Sequence, residues 1–222
     1  MPETLDPLGP ALGARDSGEW RQPLPLHVTA SLVGGYRWIE QRLFELLGGW
    51  AAEATRPELR VHLDAQSVRH AWHASMWADR LPVRDGVSAD ELTVAPSAAA
   101  RVLDVLGQPA SGATGAETTG SETTGSETTQ QLAALYRVVL PRLVTGYSDH
   151  LRASAPVSDG PVIRALRLVL TDEIEDWHAG ERLVQGLLVR PDDVALVSAR
   201  QQKLESVVVE ASTSAGLTGW PP

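Results

Sequence analysis

Four stretches of this chain carry an apolar stripe at helical spacing, and in each the stripe is broken near mid-height by polar residues: Glu40, then His70 and His73, then His150, then Glu173. Apolar residues recurring at three and four predict amphipathic helices, so these breaks fall on faces that must be buried. A buried polar group without a partner costs roughly 2–7 kcal/mol, and an isolated charge more. Several of them converging on one core must therefore pair with one another or hold a metal ion. The pattern asks for an all-α fold with a polar centre.

The helices can be placed in order. From about His27 to Ala54, the positions Val33, Tyr36, Leu43, Leu47 and Trp50 keep helical step, while the pairs Gly34-Gly35 and Gly48-Gly49 weaken the ends. Thr55-Arg56-Pro57-Glu58 reads as a capping box with proline in the first turn, opening a second helix that runs to about Leu81. A third, about Gln130–Ala153, presents Leu132, Leu135, Tyr136, Val139, Leu143 and Tyr147, and Pro141 inside it predicts a kink. Ser158-Asp159-Gly160-Pro161 starts a fourth, to about Leu188. Pro191-Asp192-Asp193 opens a fifth, to about Ala211, with a Val197, Leu204, Val208 stripe. Strand signals are nearly absent.

Around these elements the composition changes. Residues 1–25 carry Pro2, Pro7, Pro10, Pro23 and Pro25 and are expected to be a disordered arm; residues 26–213 form the helical body, and 214–222 a loose tail. Inside the body, Gly115-Ala116-Glu117-Thr118-Thr119 repeats as Gly120-Ser121-Glu122-Thr123-Thr124 and Gly125-Ser126-Glu127-Thr128-Thr129. This polar tract buries too little to offset chain entropy, so residues 107–129 are expected to be a flexible linker within a long crossover between the second and third helices.

The absence of cysteine excludes disulfides, thiolate catalysis and cysteine-based metal sites. Any metal must be held by His, Asp or Glu. A formal net charge of −9 argues against a nucleic-acid partner. No apolar run approaches the ~20 residues of a membrane span, and Met1-Pro2-Glu3-Thr4 lacks the features of a signal peptide, so a soluble cytoplasmic protein is expected.

Two helices, a long crossover, two helices and an extra one, with Glu40 in the first and Glu175-Asp176-Trp177-His178 in the fourth, make the chain resemble the ferritin-like superfamily. The resemblance covers roughly residues 33–81 and 130–188. It implies a four-helix bundle with a non-haem metal site between the helices. The pattern is degenerate: the second helix has Gln66-Ser67-Val68-Arg69 and His70-Ala71-Trp72-His73 where the family has Glu-x-x-His, and the third contains no Glu. The single-metal, three-histidine bundles related to thiol transferases are a weaker likeness, because their His-x-x-x-His step is missing.

Helical phase tests the neatest motif. At about 100° per residue, the apolar face of the fourth helix centres on Leu166, Leu170, Trp177 and Val184; Glu173 lies about 50° from it and Glu175 roughly 150° away. His178 is also turned aside, so the inward carboxylate is expected to be Glu173, with Asp176 at the margin. On the second helix Leu63, Gln66, His70, His73 and Trp77 keep step, placing both imidazoles inside; His62 and Asp64 read as a solvated helix start. The candidate metal ligands are Glu40, His70, His73, His150, Glu173 and Asp176, with Tyr147 as a redox-active, catalytic neighbour. Glu181 is placed to pair with an arginine.

Two functions follow. One is an oxidoreductase using oxygen or a peroxide at a non-haem iron or manganese site, with a single ion favoured because bridging two requires more carboxylates. The other is a bundle without metal, its buried polar groups bonded to each other, acting as a binding or scaffolding protein for a protein partner or as a homodimer. Metal, substrate and redox partner are not written in the residues.

Overall fold

In the computed structural model the described residues are 23–83, 85–109 and 120–211. Residues 1–22, 110–119 and 212–222, which hold most of the expected arm, part of the expected linker and the expected tail, lie outside them. The described residues are helical, with no strand among them. The helices are α1 (Leu26–Glu53), α2 (Pro57–Ala78), α3 (Ala89–Leu92), α4 (Ser97–Gly107), α5 (Gly120–Ala134), α6 (Leu140–Ala153), α7 (Gly160–Leu187) and α8 (Pro191–Ala211). A π-helical segment, Leu135–Val139, joins α5 to α6, so residues 120–153 form one continuous rod.

Side-chain pairings fix the directions of the long helices. Glu40 meets His70 and the Ser67 hydroxyl donates to the Phe44 carbonyl, so α1 and α2 form an antiparallel hairpin. His73 with Asp172 and Arg69 with Asp176 set α7 antiparallel to α2. Tyr36 with His150 and Glu40 with Tyr147 set α6 antiparallel to α1. The rod then runs parallel to α2, with Gln66 beside Tyr136 and Trp77 beside Tyr147. Parallel neighbours need a connection that travels back along their length. The chain between Ala78 and Gly120 is that connection, and within it α4 buries Ala99, Val102, Leu103 and Leu106.

Local chemistry explains the boundaries, including two that differ from the expected ones. Arg56, not Thr55, is the residue before α2, and no side chain caps it. Pro57 holds Arg56 extended (φ −87°, ψ 122°) and supplies the first helical residue itself, which leaves Thr55 too early to cap. The rod starts at Gly120 rather than Gln130, so two copies of the repeat are helix and not linker. Once Leu132, Ala133 and Ala134 are anchored in the core, extending the helix backwards avoids the cost of nucleation, and Thr129 and Gln130 are buried with it. At Pro141 the helix accommodates the missing N–H through the π segment just before it, and Arg142 Nη1 donates to the Val138 carbonyl at 2.8 Å.

Two glycines are required by close approach. A Cβ on Gly34 would lie 1.9 Å from the Leu92 carbonyl oxygen, so Gly34 sits within α1 as the seat for the end of α3. A Cβ on Gly180 would lie 2.1 Å from the Tyr136 ring. At the periphery, α8 buries the expected Val197, Leu204 and Val208, and its Arg200 Nη2 donates to the carbonyls of Val105, Leu106 and Gln108 at the end of α4.

Candidate metal centre

Four buried titratable groups gather at one level of the interior enclosed by α1, α2, α6 and α7. There, Glu40 from α1, His70 and His73 from α2, and Glu173 from α7 place one ligand atom each within 4.8 Å of one another. All four are fully buried. The three-residue step from His70 to His73 keeps both imidazoles on one side of α2, their rings 6.1 Å apart and nearly perpendicular.

The four groups are not equally provided for. Glu40 is held at both oxygens: the Tyr147 hydroxyl donates to Oε1 at 2.5 Å and His70 Nδ1 lies 2.6 Å from Oε2. Glu173 has no hydrogen-bond partner at either oxygen, although its Oε1 lies 3.4 Å from His70 Nδ1 and 3.3 Å from His73 Nδ1. His73 Nδ1 and His70 Nε2 are likewise without a bond, while His73 Nε2 is 3.0 Å from Asp172 Oδ2. A fully buried carboxylate with neither oxygen in a hydrogen bond, 3.3–3.4 Å from two imidazole nitrogens, is an arrangement that a cation would satisfy.

Electrostatics describe the same imbalance. Burial pushes the Glu40 carboxyl up, but the imidazolium charges of His73 and His70 and their hydrogen bonds outweigh it and hold it at about 2. Burial pushes His73 down, and Glu40 and Glu173 override this to bring it up to about 11. His70 rises for the same reasons, against its own burial. Glu173 is raised, because burial and the neighbouring Glu40 charge exceed the relief from the two histidines. Burial and the charges of Glu40 and Glu173 also raise Tyr147, which keeps its proton for Glu40. Without an ion, the two carboxylates push both imidazoles toward their protonated forms; a divalent ion would balance the two carboxylates against two neutral imidazoles.

The expected site residues divide. Glu40, His70, His73 and Glu173 come together, and Tyr147 stands directly behind Glu40. Glu175 and His178 face outward, as their helical phase requires, and His178 stacks on Trp177. His150 is buried, but its Nδ1 is 3.0 Å from the Tyr36 hydroxyl and it lies outside the cluster; burial lowers it to about 4, so it is neutral. Asp176 is also outside, its carboxylate engaged by the Arg69 guanidinium in a two-pronged pair. Both are core groups with protein partners, outside the four-residue cluster. Glu181 pairs with Arg137.

Other contacts were not anticipated from the residues. His62 is not a solvated helix start: its Nε2 lies 2.7 Å from the hydroxyl of the buried Tyr136, which donates in turn to Gln66 Oε1. The contacts of Asp172 with His73 and of Tyr36 with His150 are likewise not implied by the residue pattern. Gln66 was legible as inward from its helical phase; Asp172 was not, since it flanks the inner face of α7 and meets His73 only once α2 packs beside it.

Compared with protein-family models, curated protein sequences and solved structures, the chain gives no match. Its helical architecture and the buried Glu40, His70, His73, Glu173 cluster define it as an all-α protein with a candidate metal centre. No helix among the described residues is long and apolar enough to cross a membrane.

Proposed function

We propose that this chain is a ferritin-like protein that holds a single iron or manganese ion on Glu40, His70, His73 and Glu173 and acts as an oxidoreductase on oxygen or a peroxide. The observation that carries the metal is Glu173, fully buried with neither oxygen bonded. Two imidazoles with two carboxylates suit Fe(II), Mn(II) or Zn(II) better than calcium or magnesium. Iron or manganese would supply the one-electron chemistry that oxygen or peroxide requires. The rod contributes Tyr147 and no carboxylate, which favours one ion over a bridged pair. The antiparallel hairpins and the parallel α2 and α6 joined by a long crossover support the ferritin-like reading.

The protein groups have separable tasks. The Tyr147 hydroxyl donates a hydrogen bond to Glu40 Oε1 and so orients that carboxylate toward the centre. Tyr36, Trp77 and Tyr147 pack against one another on that side and exclude water, with ring centroids 4.7–5.8 Å apart. A site this enclosed admits only a small substrate.

Elemental analysis of protein purified without chelators tests the proposal, with about one equivalent of iron or manganese expected and loss on Glu173→Ala. Less than about a tenth of an equivalent, with no uptake on reconstitution, overturns it. One observation favours the metal-free scaffold instead: Glu40 is fully bonded without an ion. In that reading the exposed Val61, Val68 and Trp72, on the outer side of α2, are the surface a protein partner or second copy would cover.

A further inference from the structure

We propose that Asp172, which is not one of the four clustered residues, is a positioning residue that makes His73 ligate through Nδ1. The inference rests on the metal reading above and adds to it a specific nitrogen and a specific support. Asp172 and Glu173 are successive residues of α7, about 100° apart around the helix. Glu173 therefore points into the interior while Asp172 lies on the flank facing α2. There its Oδ2 meets His73 Nε2 at 3.0 Å, with the Asp172 side chain 26% exposed and His73 wholly buried. The two clustered carboxylates lie on the opposite edge of His73: Glu40 Oε2 is 3.5 Å and Glu173 Oε1 3.3 Å from Nδ1.

The consequence is chemical. A carboxylate accepts but does not donate, so the ring nitrogen facing Asp172 must carry the proton. When His73 gives up one proton to bind a cation, the proton retained is the one on Nε2, and the lone pair appears on Nδ1, toward Glu40 and Glu173. The hydrogen bond also fixes the ring plane and makes the inner nitrogen a better donor. Asp172 is in addition the one member of this chain of contacts that touches solvent, so it tethers a fully buried ligand to the surface of α7. Trp72, half exposed, lies beside His73, with ring centroids 5.8 Å apart.

The test uses the full chain loaded with Zn²⁺, a diamagnetic probe of the same ligands. Affinity is measured by competition with a chelator, and the histidine tautomers by nitrogen-15 NMR of protein labelled at its imidazoles. Asp172→Ala is expected to weaken zinc by about 10–100-fold, the usual cost of removing an outer-shell partner. Asp172→Asn, which can still accept the Nε2 proton, is expected to recover part of that loss. In chelator Asp172→Asn should melt close to the parent, because its amide oxygen can still accept the Nε2 proton, whereas Asp172→Ala leaves that buried N–H without an acceptor and should melt lower. In the parent, His73 is expected to show a protonated Nε2 and a zinc-bound Nδ1. Zinc affinity within about twofold of the parent for Asp172→Ala, or a zinc-bound Nε2 in the parent, overturns the inference while His70→Ala and Glu173→Ala still abolish binding. A parent that takes up no zinc overturns the metal reading and this inference together.

Discussion

Glu40 and Glu173 are both fully buried carboxylates in one cluster, yet their neutral isosteres should behave oppositely in the metal-free protein. Glu40 accepts from Tyr147 at 2.5 Å and from His70 at 2.6 Å. Glu40→Gln can keep the tyrosine, but its amide N–H₂ then faces the His70 N–H. It loses a charge-assisted bond and leaves a buried imidazolium without its partner. Breaking a buried ion pair from one side costs about 3–5 kcal/mol. At about 2–4 °C per kcal/mol for a chain of this size, the melting temperature in EDTA should fall by roughly 6–20 °C. Glu173 has no hydrogen bond to lose, and its raised pKa means that the fold already penalises its charged form. Glu173→Gln should therefore change metal-free stability by no more than about 1 kcal/mol, in either direction, while abolishing metal uptake. Circular dichroism melts of the parent and both variants in chelator give the comparison. Equal destabilisation by the two substitutions would show Glu173 to be a structural ion-pair partner and would refute its role as a ligand in waiting.

Metal binding at pH 7 should release a proton from His73, which Glu40 and Glu173 bring up to about 11 and which must be neutral to ligate. Calorimetry in buffers of different ionisation enthalpy measures this, and binding without proton release would contradict the charge assignment. His150 gives a second pH signature. Its folded pKa of about 4 lies below the ordinary 6.5, so the unfolded chain binds its proton first and this part of the stability, about 3 kcal/mol, is present above pH 6.5 and is lost as pH falls toward 4. Urea denaturation across that window should show a slope in the parent that His150→Gln flattens; an unchanged slope would mean that His150 is not the group responsible. Gly180→Ala should destabilise by about 1–3 kcal/mol, because its Cβ would sit 2.1 Å from Tyr136 Cε1 and the ring is locked between Gln66 and His62. A melting temperature equal to the parent's would show that Tyr136 moves freely.

What the residues state by themselves is the direction of each side chain relative to its own helix. A 3.6-residue period with Val33, Tyr36, Leu43 and Leu47 on one side leaves Glu40 no outward choice, and the same arithmetic turns Glu173 inward and Glu175 and His178 outward despite their motif-like spacing. Burial of His70, His73 and His150 follows equally from local phase. Phase does not carry the height at which a residue meets the next helix, nor who stands across from it. His150 and Asp176 face inward or nearly so, as their positions imply. Only packing gave His150 to Tyr36 and Asp176 to Arg69, while bringing Glu40, His70, His73 and Glu173 to one level. Asp172 and His62 were hidden for the same reason, since flanking residues become interior when a neighbouring helix covers them. The helical start at Gly120 likewise depended on the anchoring of later turns. Periodicity is a property of one helix and is fixed by backbone geometry; a site is a property of several, and it exists only after their relative register has been set by the packing of the whole core.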